Sequence, residues 1–82
     1  MTLEVLGPGC ANCQRLERNV RAAVDRLGLD ATIEKVEDYP SILAHGVQST
    51  PALVRDGEVI VSGRVPSPRQ LAELLQSAPA AG

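Results

Sequence analysis

The sequence predicts an α/β domain in which seven elements follow in the order βαβαββα and form a four-stranded mixed sheet flanked by helices. Three observations predict this fold. The chain has 82 residues, which suits one small domain spanning residues 1–82. Its apolar residues change from strand to helix spacing along the chain, and Asp56-Gly57 is a strong hairpin signal. A right-handed crossover would place the second strand parallel to the first, and the hairpin adds an antiparallel pair.

The first half of the chain predicts a strand, a long helix and a second strand. The β-favouring run TLEVL at residues 2–6 is ended by the breaker cluster GPG at residues 7–9. A helix follows, and Gly28 is a typical helix stop. The run ATIEKV at residues 31–36 predicts the second strand, whose two charged residues indicate a sheet edge. After Cys13, apolar residues three and four apart form the buried face of the helix: Leu16, Val20, Val24 and Leu27.

A short second helix is predicted next. Asp38 is a typical N-cap and Pro40 suits the first turn. Gly46 ends the helix. We expect its apolar residues to face the core, with Tyr39 at the core edge: Tyr39, Ile42 and Leu43.

The last part of the chain predicts a hairpin and a third helix. The runs PALVR and EVIVS flank the Asp56-Gly57 turn and are expected to pair antiparallel. Ser67 and Gln70 form a capping-box pattern, with Pro68 at the first helical position. Pro79 is expected to end this helix and residues 79–82 to form a frayed tail. Its buried face is predicted to consist of Leu71, Leu74 and Leu75.

Composition excludes several classes of function. Ten acidic and eight basic residues give a net charge of −2, and they form neither the basic stripe that binds nucleic acid nor a polybasic membrane patch. The first residues do not resemble a secretory signal, and no apolar run approaches the roughly 20 residues of a membrane span. We therefore expect a cytoplasmic protein that binds neither nucleic acid nor membranes, with an aliphatic core because Tyr39 is its one aromatic residue.

The segment GPGCANC places both cysteines of the chain, Cys10 and Cys13, at the start of the first helix. There the unpaired backbone N–H groups and the helix dipole stabilise a thiolate. Cys10 lies at the loop–helix junction and should be the more reactive sulfur, whereas Cys13 heads the apolar face and should be more enclosed. This asymmetry suits a two-step exchange in which Cys10 attacks a substrate disulfide and Cys13 then displaces the product. A purely structural disulfide is the least expected role, because the loop is short and the compartment reducing.

Two other functions remain open on the residues alone. A C-x-x-C pair also binds Cu(I) or another soft metal, or holds an iron–sulfur cluster between two chains. Against this, heavy-metal chaperone domains run βαββαβ and usually carry methionine before the first cysteine, where this chain has Pro8-Gly9. A closed zinc site is less favoured still, because it needs four ligands and one chain provides only Cys10, Cys13 and His45, although a dimer could complete it; the expected site holds no metal. The third possibility is an interaction module with a vestigial cysteine pair.

The C-x-x-C helix opening, the Thr50-Pro51 pair before the hairpin and the βαβαββα order together resemble the thioredoxin superfamily in its glutaredoxin-sized form. More narrowly, the chain resembles the small redox-active disulfide proteins of bacteria and archaea. The resemblance implies a thiol-disulfide oxidoreductase that needs no cofactor beyond its own disulfide, with Cys10 as nucleophile and Cys13 as resolving thiol. It also implies that Pro51 is cis beside the disulfide and that the Thr50 backbone pairs with an extended substrate. On the residues alone, an ordinary trans proline is the commoner case.

The resemblance also bears on partners and on one acidic residue. Thioredoxins hold a buried acid six positions before the first cysteine, which makes Glu4 a possible proton relay to Cys13, although a solvent-facing glutamate is the commoner case. Gly9 replaces the tryptophan that thioredoxins carry before the cysteines. Residues 63–67 contain one glycine and no acid, unlike the glutathione-binding stretch of glutaredoxins. We therefore expect protein disulfides as substrates and a thioredoxin-reductase-type electron donor, with glutathione disfavoured.

Overall fold

The computed structural model describes residues 1–47 and 49–76. Its element order is βαβαββα, as predicted. Pro79 and the expected tail at residues 79–82 lie outside the described residues. The elements are β1 (Thr2–Leu6), α1 (Ala11–Leu27), β2 (Thr32–Val36), α2 (Tyr39–Ala44), β3 (Ala52–Arg55), β4 (Glu58–Ser62) and α3 (Pro68–Gln76).

The four strands form one mixed sheet in the order β2-β1-β3-β4, which confirms the predicted architecture. β1 runs parallel to β2 and antiparallel to β3, and β3 pairs antiparallel with β4. β2 is an edge strand, as its charged residues predict. The hairpin turn places Asp56 at φ 49° and Gly57 at φ 88°, the left-handed conformations that an Asp-Gly turn adopts with little strain. β1 ends at the cysteine-bearing loop and β3 begins directly after the Thr50-Pro51 pair, so both segments lie at one end of the sheet.

The face of the sheet covered by α1 and α3 holds the larger part of the core. The long helix α1 ends at Gly28, which adopts the left-handed C-cap at φ 65°. The core is aliphatic, as the composition predicts, and its leucines and valines come from both central strands and both long helices. Its largest fully buried members on this face are Leu3, Leu16, Val20, Leu53 and Leu71.

The opposite face of the sheet is covered by the short helix α2. Ile42 is buried there against Leu6 and Val54. The expectation that Tyr39 and Leu43 also face the core is wrong, because these side chains are 63% and 66% exposed. A helix of six residues makes fewer than two turns, so one position points directly at the sheet, and Ile42 occupies it.

Side-chain caps fix the start of both later helices. Asp38 accepts a hydrogen bond from the Ser41 backbone N–H (3.1 Å), as an N-cap should. The predicted capping box is present: the Gln70 N–H donates to Ser67 Oγ (3.2 Å), and the Ser67 N–H donates to Gln70 Oε1 (3.0 Å). In α3, Leu74 is only half-buried and Ala72 is buried instead.

Arg55 is a buried charged residue that the sequence does not predict. Its side chain is 9% exposed, and its Nη1 donates a hydrogen bond to the carbonyl oxygen of Leu74 (3.0 Å). A cation near the end of α3 also interacts favourably with the helix dipole. The contact ties β3 to α3. Within residues 1–47 and 49–76, no helix has the length and apolar character needed to cross a bilayer.

Candidate functional site

Cys10 caps the N-terminus of α1. The loop before it turns at Gly9, whose φ of 88° is accessible to glycine at little cost. Cys10 itself is extended (φ −69°, ψ 168°), and its Sγ accepts a hydrogen bond from the Cys13 backbone N–H at 3.2 Å. Its carbonyl accepts the first helical bond, from Gln14 N–H at 3.0 Å. The sulfur of Cys10 therefore lies where backbone N–H groups and the positive helix end stabilise a negative charge.

Cys10 and Cys13 are joined in a disulfide, with Cα atoms 5.0 Å apart. Cys10 is exposed, whereas Cys13 is only 5% exposed on the buried side of α1. The predicted difference in exposure between the two cysteines is confirmed: Cys10 lies at the surface, and Cys13 lies in the core.

The Thr50–Pro51 peptide bond is cis, as the resemblance implies. Pro51 is buried, and Thr50 is exposed. The carbonyl oxygen of Pro51 accepts a hydrogen bond from the Gly63 N–H at 2.8 Å, so this loop is tied to the end of β4. The fold thus places this segment at the same end of the sheet as the cysteines, because Leu6 pairs with Ala52.

Gly7, the last residue before the turn, brings the two parts of the site together. Gly7 is buried, and a Cβ built on it would overlap the Cys13 Sγ and lie 3.2 Å from the Cys13 Cβ. The same Cβ would lie 3.8 Å from the Thr50 Cβ. The structure therefore brings together the predicted residues Cys13 and Thr50 around Gly7. In the sequence, Gly7 is recognisable only as part of the strand-ending GPG cluster, and its contact with Cys13 is not predicted.

Glu4 lies on the other face of β1, towards α2. Its Oε2 is 3.4 Å from His45 Nε2, and the two side chains are 22% and 23% exposed. His45 Nδ1 lies 2.9 Å from the carbonyl oxygen of Ser41. This hydrogen bond raises the pKa of His45, desolvation opposes the rise, and the charge of Glu4 adds to it. The contact between Glu4 and His45 is not predicted from the sequence, in which the two residues lie far apart.

A second acidic group, Glu37, lies beside the turn before Cys10. Its Oε2 is 3.0 Å from the position of a Cβ on Gly9. Glu37 precedes α2 and is exposed, so its charge faces solvent near the cysteine-bearing loop. Glu37 is not predicted from the sequence, because the contact depends on the pairing of β2 with β1, in which the Gly7 N–H donates to the carbonyl oxygen of Val36 (2.9 Å).

Metal ligands are sparse around the site. In the described part of the chain, no three residues among histidine, cysteine, aspartate and glutamate come together in a way that could hold a metal ion. Within those residues, a soft metal would have to be bound by Cys10 and Cys13 in their reduced form. His45 contacts Glu4 and Ser41 instead.

Comparison with known proteins identifies the family. A family model described as a thioredoxin domain matches residues 1–76. A protein named thioredoxin from Methanothermobacter thermautotrophicus is 44% identical over 75 residues, which cover 92% of this chain and 97% of the relative. Another thioredoxin, from Methanocaldococcus jannaschii, is 36% identical over 77 residues, which cover 94% of this chain and 88% of the relative. The chain, with its C-x-x-C disulfide at a helix start, belongs to the thioredoxin family and is a thiol-disulfide oxidoreductase.

Proposed function

We propose that this oxidoreductase reduces disulfides in proteins, with Cys10 as the attacking thiol and Cys13 as the resolving thiol. The observation that carries the proposal is the position of the two sulfurs. Cys10 is exposed at the N-cap of α1, and Cys13 is buried one turn later within bonding distance. A helix N-terminus lowers the pKa of a cysteine placed there, and the thiolate is the nucleophile in exchange.

The reaction proceeds in two exchanges. The Cys10 thiolate attacks one sulfur of the substrate disulfide, forms a mixed disulfide and expels the other substrate sulfur as a thiolate. Cys13 then loses its proton and attacks Cys10 Sγ, which forms the Cys10–Cys13 disulfide and releases the second substrate thiolate. Two electrons pass to the substrate, whose thiolates take up two protons. The protein's own disulfide is the only redox group required, and no cofactor takes part.

We propose that Thr50 and Pro51 bind the substrate backbone. Thr50 is exposed, and its Cβ lies close to Gly7, which contacts the Cys13 sulfur. An extended peptide that pairs with this segment would run beside the exposed Cys10. Main-chain pairing supplies affinity without selecting particular side chains, which suits an enzyme acting on varied protein disulfides.

A thioredoxin-reductase-type enzyme is the proposed electron donor, and the cytoplasm the proposed location, as part of an electron-transport chain to protein disulfides. Two features disfavour glutathione. Residues 63–67 offer one glycine and no acid, and the Glu37 carboxylate adds negative charge beside Gly9. Like charges near a site weaken the binding of an anionic tripeptide.

Glu4 stays a predicted proton relay to Cys13 on the family resemblance alone, because its carboxylate lies on the α2 face of β1, whereas α1, which carries Cys13, packs on the opposite face. Its carboxylate is half-buried and paired with His45, so it is shielded in part from solvent. Glu4→Gln should slow the resolving step and leave the reactivity of Cys10 unchanged. Single-turnover measurement of mixed-disulfide decay across pH checks this, and unchanged decay would remove Glu4 from the mechanism.

Insulin reduction with NADPH and a thioredoxin reductase, compared with glutathione and its reductase, tests the function. We expect turnover with the first system. Cys10→Ser should abolish exchange, and Cys13→Ser should accumulate a mixed disulfide through Cys10. Reversal of these two results would overturn the assignment of roles. Metal analysis of the purified protein, together with thiol titration, tests the alternative of metal binding. Bound Cu(I) or a bound cluster, with thiols that form no reducible disulfide, would favour metal binding over disulfide exchange.

A further inference from the structure

We infer that Gly7 is a positioning residue for the redox-active disulfide: its lack of a side chain leaves the space that the Cys13 sulfur occupies in the oxidised protein, and it thereby favours the disulfide over the dithiol. The inference rests on the proposed exchange chemistry and adds a residue that sets its equilibrium. Gly7 touches no substrate in this proposal and acts through Cys13.

Space, and not backbone conformation, explains the glycine at this position. Among the described residues, the other glycines adopt positive φ, which favours glycine whatever surrounds it. Gly7 does not have a positive φ. Instead it is buried, and an added Cβ would overlap the Cys13 Sγ. The glycines with positive φ are Gly9, Gly28, Gly46, Gly57 and Gly63.

The overlap cannot be relieved on its other side without disturbing the substrate-binding segment. The Thr50 Cβ lies 3.8 Å from the same added Cβ, which is ordinary contact distance. A methyl group on Gly7 would therefore lie between the Cys13 sulfur and Thr50. In a closely packed site, such an addition must move one of its neighbours.

The oxidised and reduced proteins should respond differently to this methyl group. In the disulfide, the Cys13 Sγ is held by its bond to Cys10 and cannot turn away. In the dithiol, the Cys13 side chain is free to adopt another χ1 rotamer and move its sulfur off Gly7. Gly7→Ala should therefore destabilise the disulfide more than the dithiol and make the protein a stronger oxidant.

Equilibration with dithiothreitol measures this difference. The oxidised protein and reduced dithiothreitol yield the protein dithiol and the cyclic disulfide of dithiothreitol, with two electrons and two protons transferred. We expect Gly7→Ala to shift this equilibrium constant at least tenfold towards the protein dithiol, which corresponds to about 30 mV for a two-electron couple. Gly46→Ala is the control. A Cβ on Gly46 meets nothing within 4 Å, and only its positive φ of 76° makes alanine unfavourable there. Gly46→Ala should lower stability without shifting the constant.

A second measurement separates the sulfur contact from general damage to the fold. Gly7→Ala is made in the wild-type chain and in a Cys13→Ala chain, and the free energies of unfolding are compared. Without the sulfur, the overlap is removed and only the 3.2 Å approach to the Cβ of residue 13 remains, so the cost of Gly7→Ala should fall markedly in the Cys13→Ala background. If Gly7→Ala folds only in that background, the inference is also supported.

The two hypotheses fail in different ways. A wild-type protein that never equilibrates with dithiothreitol would overturn the proposed exchange chemistry. If the wild type equilibrates and Gly7→Ala leaves the constant unchanged, the exchange stands and the role of Gly7 is wrong. An equal cost of Gly7→Ala with and without the Cys13 sulfur, or failure to fold in both, would likewise overturn the inference.

Discussion

Leu16→Ala should be among the most destabilising single truncations in this chain. Leu16 lies one turn after Cys13 on α1, is 0% exposed, and belongs to the cluster that joins α1 to both central strands and α3. The truncation removes roughly three carbon groups at about 0.8 kcal/mol each, or about 2.4 kcal/mol of transfer free energy. The unfilled cavity raises the expected cost to about 3–4 kcal/mol. A domain of 82 residues has roughly 4–12 kcal/mol of total stability, so the truncation should remove at least about a quarter of it.

Urea denaturation of the oxidised protein measures this cost, and Leu43→Ala is the matched control. Leu43 undergoes the same chemical change on α2, but it is 66% exposed. Its truncation should change the free energy of unfolding by no more than about 0.5 kcal/mol. A Leu16→Ala cost below about 1.5 kcal/mol, or equal costs for the two variants, would refute the packing described for α1 and α2.

Two further predictions concern stability. The pKa of His45 is higher in the folded protein than in the unfolded chain, so protonated His45 stabilises the fold. This contribution to the free energy of unfolding is complete below pH 6.5 and is lost as pH rises through the raised pKa of folded His45. Urea denaturation of the oxidised protein across pH should show that decline, and His45→Gln should remove it; identical profiles would contradict the raised pKa. Ser67→Ala should cost about 1 kcal/mol by breaking the capping box. Because the Gln70 side chain accepts the second hydrogen bond of the box, Gln70→Ala should cost less free energy of unfolding in the Ser67→Ala chain than in the wild type. Strictly additive costs in urea denaturation would contradict coupling between the two residues.

Features governed by local chemistry could be predicted from the sequence. The three-and-four spacing of apolar residues defines α1, and a glycine at its end predicts the C-cap that Gly28 forms. The hairpin follows from Asp56-Gly57, and the start of α3 follows from the Ser67–Gln70 pair. Each of these signals lies within a few residues of the feature that it predicts.

Features that depend on how elements pack against each other could not be predicted from the sequence. Apolar character alone suggests that Tyr39 and Leu43 are buried, but the sheet contacts only one side of a six-residue helix. The contact of Glu4 with His45 depends on the placement of α2 over β1. Burial of Arg55 depends on where α3 ends.

The candidate site also contains some features that the local sequence predicts and others that it does not. The exposure of Cys10 and the burial of Cys13 follow from their places at the start of one amphipathic helix, so the sequence predicts them. The cis bond before Pro51 could be expected only from the family resemblance, because Thr-Pro alone favours the trans form. The contact between Gly7 and Cys13 joins residues six apart across a turn, and no local pattern reports it.

Alkylation of the reduced protein by iodoacetamide across pH, followed by mass spectrometry to assign the modified sulfur, tests the proposed difference between Cys10 and Cys13 most directly. Cys10 should react first, and its rate should rise with an apparent pKa clearly below the ordinary cysteine value of about 8.5, because the α1 N-terminus stabilises its thiolate. Cys13 should react much more slowly at every pH. Equal rates at the two sulfurs, with both apparent pKa values near that of free cysteine, would contradict the proposed roles.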